Sequence, residues 1–119
     1  MFALALAIAS AVHAVPAEYH IDFSGWPGVM MVEFDVRVTA MDGTTYTTTI
    51  QLAPGATVIQ ARNILWFALQ RDGWRGHTVG KGIIVLEGSK KSPIRSVEFK
   101  SKDWKPDVRW VPLVPEKKK

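Results

Sequence analysis

His20 and Asp22 are the first side chains of the chain that could do chemistry. Two residues apart on an extended segment, they share one face, and His77 could join them around a metal ion. No further ligand follows at a diagnostic spacing, so the pattern predicts surface histidines and no metal site. Ser24 is close to both in sequence, but no nucleophile elbow or oxyanion loop surrounds it. Glu33 and Asp35 are paired carboxylates that alternate with apolar residues, which reads as a wet strand face rather than acid–base machinery. The stretch from Gly76 to Gly82, GHTVGKG, approaches a phosphate-binding loop. It is one residue short, no Ser or Thr follows Lys81, and a strand rather than a helix comes next. No catalytic residue, metal or cofactor is therefore expected, and the chain reads as a non-enzyme. A pocket lined by His20, Asp22 or His77 would reverse that expectation.

Binding is the better prospect. Of five tryptophans, Trp26, Trp74, Trp104 and Trp110 fall in or beside turns, with Arg75, Lys105 and Arg109 as neighbours. Exposed indoles stack on sugar rings or bases, and adjacent cations add cation–π or phosphate contacts. The alternative is that these rings pin loops to a small core. Trp66 and Phe67 lie on a helical segment, at the edge of its apolar stripe and away from it. They are the candidates for contact with a partner, or for cover by residues 15–27 or the C-terminal arm.

These residues are positioned by elements that the pattern makes legible. Thr57 to Trp74 is the one long segment with helical spacing: Val58, Ala61, Ile64, Leu65, Ala68 and Leu69 fall within an arc of roughly 140°. Thr57 is a fitting N-cap, Pro54-Gly55 ends the strand before it, and Gly73 suits the position after it. Upstream, residues 19–23 alternate as a short strand, and Ser24 to Gly28 read as a turn. The clearest strand runs from Val29 to Ala40, with Val32, Phe34, Val36, Val38 and Ala40 on one face. A three-residue loop at Met41-Asp42-Gly43 would pair Val38 with Tyr46, Val36 with Thr48, Phe34 with Ile50 and Val32 with Leu52. That register keeps threonines out of the core. Downstream, residues 83–86 and 94–100 read as strands, with 76–82 as a glycine-rich connection. Residues 108–114 read as an edge strand limited by Pro112 and Pro115. The expected fold is α+β: a two-layer sandwich with a mainly antiparallel sheet of four to five strands, in hairpin–helix–hairpin order, and one helix on one face.

Residues 32–99, a threonine-rich hairpin leading through Pro54-Gly55-Ala56-Thr57 into an amphipathic helix, resemble the hairpin–helix–hairpin modules of secreted bacterial surface and phage-tail proteins. The order is also similar to a ubiquitin-like roll. Neither resemblance carries a functional residue across.

Composition sets the remaining bounds. At 119 residues with 47% hydrophobic and 22% charged content, the chain makes one globular domain, expected at 15–115. The absence of cysteine removes disulfides, thiol nucleophiles and thiolate metal sites. Residues 1–70 hold two Lys/Arg and five Asp/Glu, net −3, against thirteen and six, net +7, in 71–119. The basic half, through Arg75, Lys90, Lys91, Arg95, Lys100, Lys102, Lys105 and Arg109, suits a polyanion. Residues 1–14 form an apolar run ending in Val12-His13-Ala14, which fits a secretory signal cleaved before Val15. The run is too short to span a bilayer. A secreted or periplasmic location follows, or a cytoplasmic one if the run is retained, and residues 116–119 form a basic tail. The leading expectation is a small exported binding or assembly module of the cell envelope, with another protein or an anionic envelope polymer as partner. Nucleic acid fits an exported chain less well.

Overall fold

The threonine-rich hairpin shows how local chemistry sets the architecture. In the computed structural model, which describes residues 10–12 and 17–112, β3 (Val32–Ala40) and β4 (Thr45–Leu52) pair antiparallel. Val38 faces Tyr46, Val36 faces Thr48, Phe34 faces Ile50 and Val32 faces Leu52, the register expected from the three-residue loop. Gly43 has φ +93°, a backbone conformation that costs a side chain energy. The Gly43 N–H donates to the Ala40 carbonyl at 3.0 Å, and the Ala40 N–H to the Thr44 carbonyl at 2.8 Å. The Asp42 carboxylate accepts the Thr44 N–H at 3.0 Å. That bond is the main reason its carboxyl sits below the usual carboxylate range, with Lys91 helping.

Helix α1 (Val58–Arg71) begins with a reciprocal cap. The Gln60 N–H donates to the Thr57 hydroxyl at 3.1 Å, and the Thr57 N–H donates to the Gln60 side chain at 2.9 Å. After the helix, Gly73 turns the chain with φ +94°.

The other strands are β1 (Ser10–Val12), β2 (Ala17–Asp22), β5 (Arg75–Val79), β6 (Ile83–Gly88), β7 (Ile94–Ser101) and β8 (Asp107–Pro112). All pair antiparallel, in two sheets ordered β1-β7-β3-β4 and β5-β6-β2-β8. Among the described residues the fold is therefore α+β with two antiparallel sheets and one helix. It differs from the single sheet of four to five strands expected from the pattern. The expected second hairpin, residues 83–86 with 94–100, does not form. Instead β6 pairs with β2 and with β5, whose residues 76–79 were read as part of a glycine-rich connection, while β7 crosses to pair with β3.

That change moves the helix. Rather than lying across one sheet face, α1 neighbours β4 of the first sheet and β6 of the second. Its buried residues are Ala61, Arg62, Leu65, Ala68 and Leu69. Ile64, expected inside, is 41% exposed, and Arg62 is 7% exposed. The Arg62 guanidinium donates to the Gly80 carbonyl at 2.9 Å and twice to the Asn63 side chain, tying the helix to the β5–β6 turn.

One core serves both sheets and the helix. It contains Tyr19 and Ile21 of β2, Phe34, Val36 and Val38 of β3, Ile84 and Leu86 of β6, Val97 and Phe99 of β7, and Leu65 and Leu69 of α1. The expected signal segment 1–14 falls outside the described residues except for Ser10–Val12, whose backbone lies beside Ser96–Glu98 of β7. The tail at 116–119 also lies outside them. Among the described residues no helix is long and apolar enough to cross a membrane.

Candidate interaction surface

The tryptophans do different work from one another. Trp26 is 6% exposed, and its indole N–H donates to the Ala56 carbonyl at 2.8 Å. The Gly55 N–H donates to the Gly28 carbonyl at 2.9 Å, so the 24–28 turn and the Pro54-Gly55 turn clamp each other. Trp104 is half-buried, its ring 5.3 Å from Trp26, 5.7 Å from Phe23 and 6.5 Å from Phe34. Trp74 is 3% exposed beneath Tyr46, with ring centroids 6.1 Å apart and planes at 83°. Its indole N–H has no hydrogen-bond partner among the described residues. Trp110 on β8 and Trp66 on α1 are half-buried against the core. Of the two readings open for the turn tryptophans, Trp26 and Trp74 take the one in which the ring pins a loop to the core rather than lying exposed.

Nor do the expected binding residues converge. Trp26, Trp104 and half-buried Lys105 share one end of the domain. Trp74 and exposed Arg75 sit by Tyr46, which pairs with Val38, four residues and about 13 Å along β3 from Phe34. Arg109 and Trp110 lie on β8, opposite His20 and Tyr19.

The cations are dispersed in the same way. Lys90 and Lys91 occupy the β6–β7 loop and Lys102 and Lys105 the β7–β8 loop, at opposite ends of β7. Arg95 and Lys100 lie on β7 itself, where Lys100 pairs with Asp35. Arg37 on β3 meets Glu98 at 3.4 Å, so acids on the same sheet face match part of its charge.

His20 pairs with Glu18 at 3.2 Å and His77 with Glu87 at 3.2 Å. Both histidines lie beside Val85, on either side of β6, about 10 Å apart along the strand-to-strand direction. The Asp22 carboxylate accepts the Ser24 N–H at 2.8 Å, closing the turn. Among the described residues no group of three or more His, Asp or Glu is placed to hold a metal. Residues 76–79 belong to β5 and 80–82 to its turn into β6, not to a loop that could wrap a phosphate.

What stands out chemically is apolar exposure. Phe67 is 64% exposed on α1, with Ile59 and Ile64 on the same outward side. These three span an arc of about 140° opposite the buried stripe. Val29, Met30 and Met31 are exposed too, Val29 by 75%. The Gly28–Gly55 bond sets this segment at the end of the domain where α1 starts. Phe67 was singled out from the sequence; Val29 to Met31 was not. The signal was there, since three consecutive large apolar residues break the two-residue alternation that starts at Val32. No family model, no curated protein and no solved structure matches the chain.

Proposed function

We propose that the protein is a small exported binding or assembly module of the cell envelope, without enzymatic activity, that docks another protein on the outer face of α1 and the Val29–Met31 segment. The observation that carries this reading is Phe67, 64% exposed on α1 on the same outward side as Ile59 and Ile64. Burying a phenylalanine side chain is worth about 1.5–3 kcal/mol, and contiguous apolar patches on small domains mark contact sites. Met30 and Met31, both exposed, suit such a surface because methionine adapts to a partner's shape. Export rests on residues 1–14 alone.

The test is site-specific photo-crosslinking in the producing cell, with the probe at Phe67, at Met31, or at Arg109 on the other sheet. One adduct of defined mass from Phe67 and Met31, absent from Arg109 and lost on Ile59→Glu, is expected. Equal labelling from all three positions, or none, sinks the reading. The polyanion alternative has less support from the dispersed cations. Retention on heparin that falls steeply with salt would favour it.

A further inference from the structure

Sheet edges are where folded proteins guard against unwanted pairing, usually with charge, proline, a bulge or shortness. Three edges here are guarded. β8 carries Asp107, Arg109 and Pro112, β5 is five residues long with a bulge at Arg75/Gly76, and β1 has three residues. β4 has none of these devices. It is eight residues, TYTTTIQL, without a charge, a proline or a break in register.

The hydrogen-bond alternation shows which groups it offers. The Ala40 N–H to Thr44 carbonyl bond makes that pair a bonded one, so Val38–Tyr46, Val36–Thr48 and Phe34–Ile50 are bonded in turn. The N–H and C=O groups of Thr45, Thr47, Thr49 and Gln51 then point away from β3. Among the described residues they have no main-chain partner on that side. All four side chains are exposed on the outer sheet face.

We infer that β4 pairs antiparallel with β4 of a second copy of this chain, about a two-fold axis through Thr48. The strand itself selects this occupant. Its outward-pointing set, Thr45, Thr47, Thr49 and Gln51, is symmetric about Thr48, so each member meets another of the set in a second copy. β4 also brings no charge into the ladder, whereas β5 brings Arg75 and β8 brings Asp107 and Arg109. The register matches Thr47 with Thr49 and Thr45 with Gln51 of the other copy, and supplies about eight main-chain hydrogen bonds. On the inner side Tyr46, half exposed in the monomer, comes opposite Ile50 of the other copy. Two four-stranded sheets become one of eight strands. The contact is separate from the Phe67 surface, and either can fail without the other.

Sedimentation velocity over roughly 1–500 µM, the range where contacts of modest area assemble, reads the mass. Amide exchange on the same samples reads the edge. The full chain is expected to approach twice the monomer mass as concentration rises. Exchange should slow with concentration at Thr45, Thr47, Thr49 and Gln51 and not at exposed amides of β5 or β8. Thr47→Pro removes an N–H that the monomer leaves to water, and Thr49→Lys sets a cation beside Asp35, which already accepts the Thr49 hydroxyl at 2.7 Å. Both variants should stay monomeric with unchanged circular dichroism. A wild-type chain that stays monomeric throughout, with edge exchange independent of concentration, overturns the inference. So does a dimer that survives both variants, or one that is abolished only by Phe67→Glu.

Discussion

The Tyr19 hydroxyl donates a 2.9 Å hydrogen bond to the main-chain carbonyl of Arg95, linking the centre of one sheet to the other. Arg95 is available for this because the β3–β7 register slips there: Thr39 pairs with Ser96 and Ala40 with Ile94, leaving Arg95 as the extra residue of a bulge. A ladder interruption and a buried phenol thus satisfy each other.

Tyr19→Phe is expected to cost about 1–2 kcal/mol in urea unfolding with an unchanged m-value, because it strands the Arg95 carbonyl. Burial raises the Tyr19 phenol above its ordinary value. The folded state therefore keeps its proton where the unfolded chain, with a phenol near 10, has lost it. The stabilisation is complete below about pH 10 and is lost as pH rises through the folded value. Wild type minus Tyr19→Phe stability should narrow over that alkaline window; a constant difference would contradict the assignment.

Gly76 and Gly43 should respond differently to alanine. A Cβ at Gly76 would overlap the Val85 carbonyl oxygen, a main-chain atom that cannot step aside while β5 stays paired with β6. Gly76→Ala should cost roughly 3 kcal/mol and release β5. At Gly43 a Cβ meets open space and only the φ of +93° resists, so about 1 kcal/mol is expected. Thermal melts of the two variants check the order.

Arg62→Met keeps the buried stem and removes the bonds to Gly80 and Asn63. A loss of about 1–2 kcal/mol is expected, with faster amide exchange confined to Lys81 and Gly82 at the turn that Arg62 holds. Uniformly faster exchange would show that Arg62 serves the core as filling instead.

Asp42→Ala should lower the melting temperature at neutral pH and have no effect in strong acid. The Asp42 carboxyl is depressed by the Thr44 N–H, so its contribution is present above the ordinary carboxylate value of about 4 and lost as pH falls through the folded value. Parallel melts of variant and wild type from neutral pH into strong acid should converge.

The hairpin was legible because Val32 to Ala40 alternates strictly and only one loop length keeps Thr47 and Thr49 out of the core. The helix was legible because Thr57 and Gly73 bound it with local chemistry, although Gln60, which completes the cap, was not singled out. The second sheet was not. Arg75 to Val79 has a glycine, a histidine and a threonine where a strand would show apolar alternation, and it is held by pairing with β6 rather than by its own preference. Ile64 was expected inside and is exposed, since a helix set between β4 of one sheet and β6 of the other buries a different arc from one lying on a single sheet. Trp26 and Trp74 could not be placed from sequence because turn position alone does not say whether a ring folds inward.

The strand order also has a temporal meaning. β2 lies between β6 and β8, and β7 lies between β1 and β3, so neither sheet is encoded by one continuous stretch of chain. A chain delivered from its N-terminus cannot house Tyr19 or Ile21 until Ile84 and Leu86 have been synthesised, more than sixty residues later. Closure of both sheets thereby waits for β6, β7 and β8, and β2 is without either of its neighbours in the interval, while the β3–β4 hairpin can pair at once.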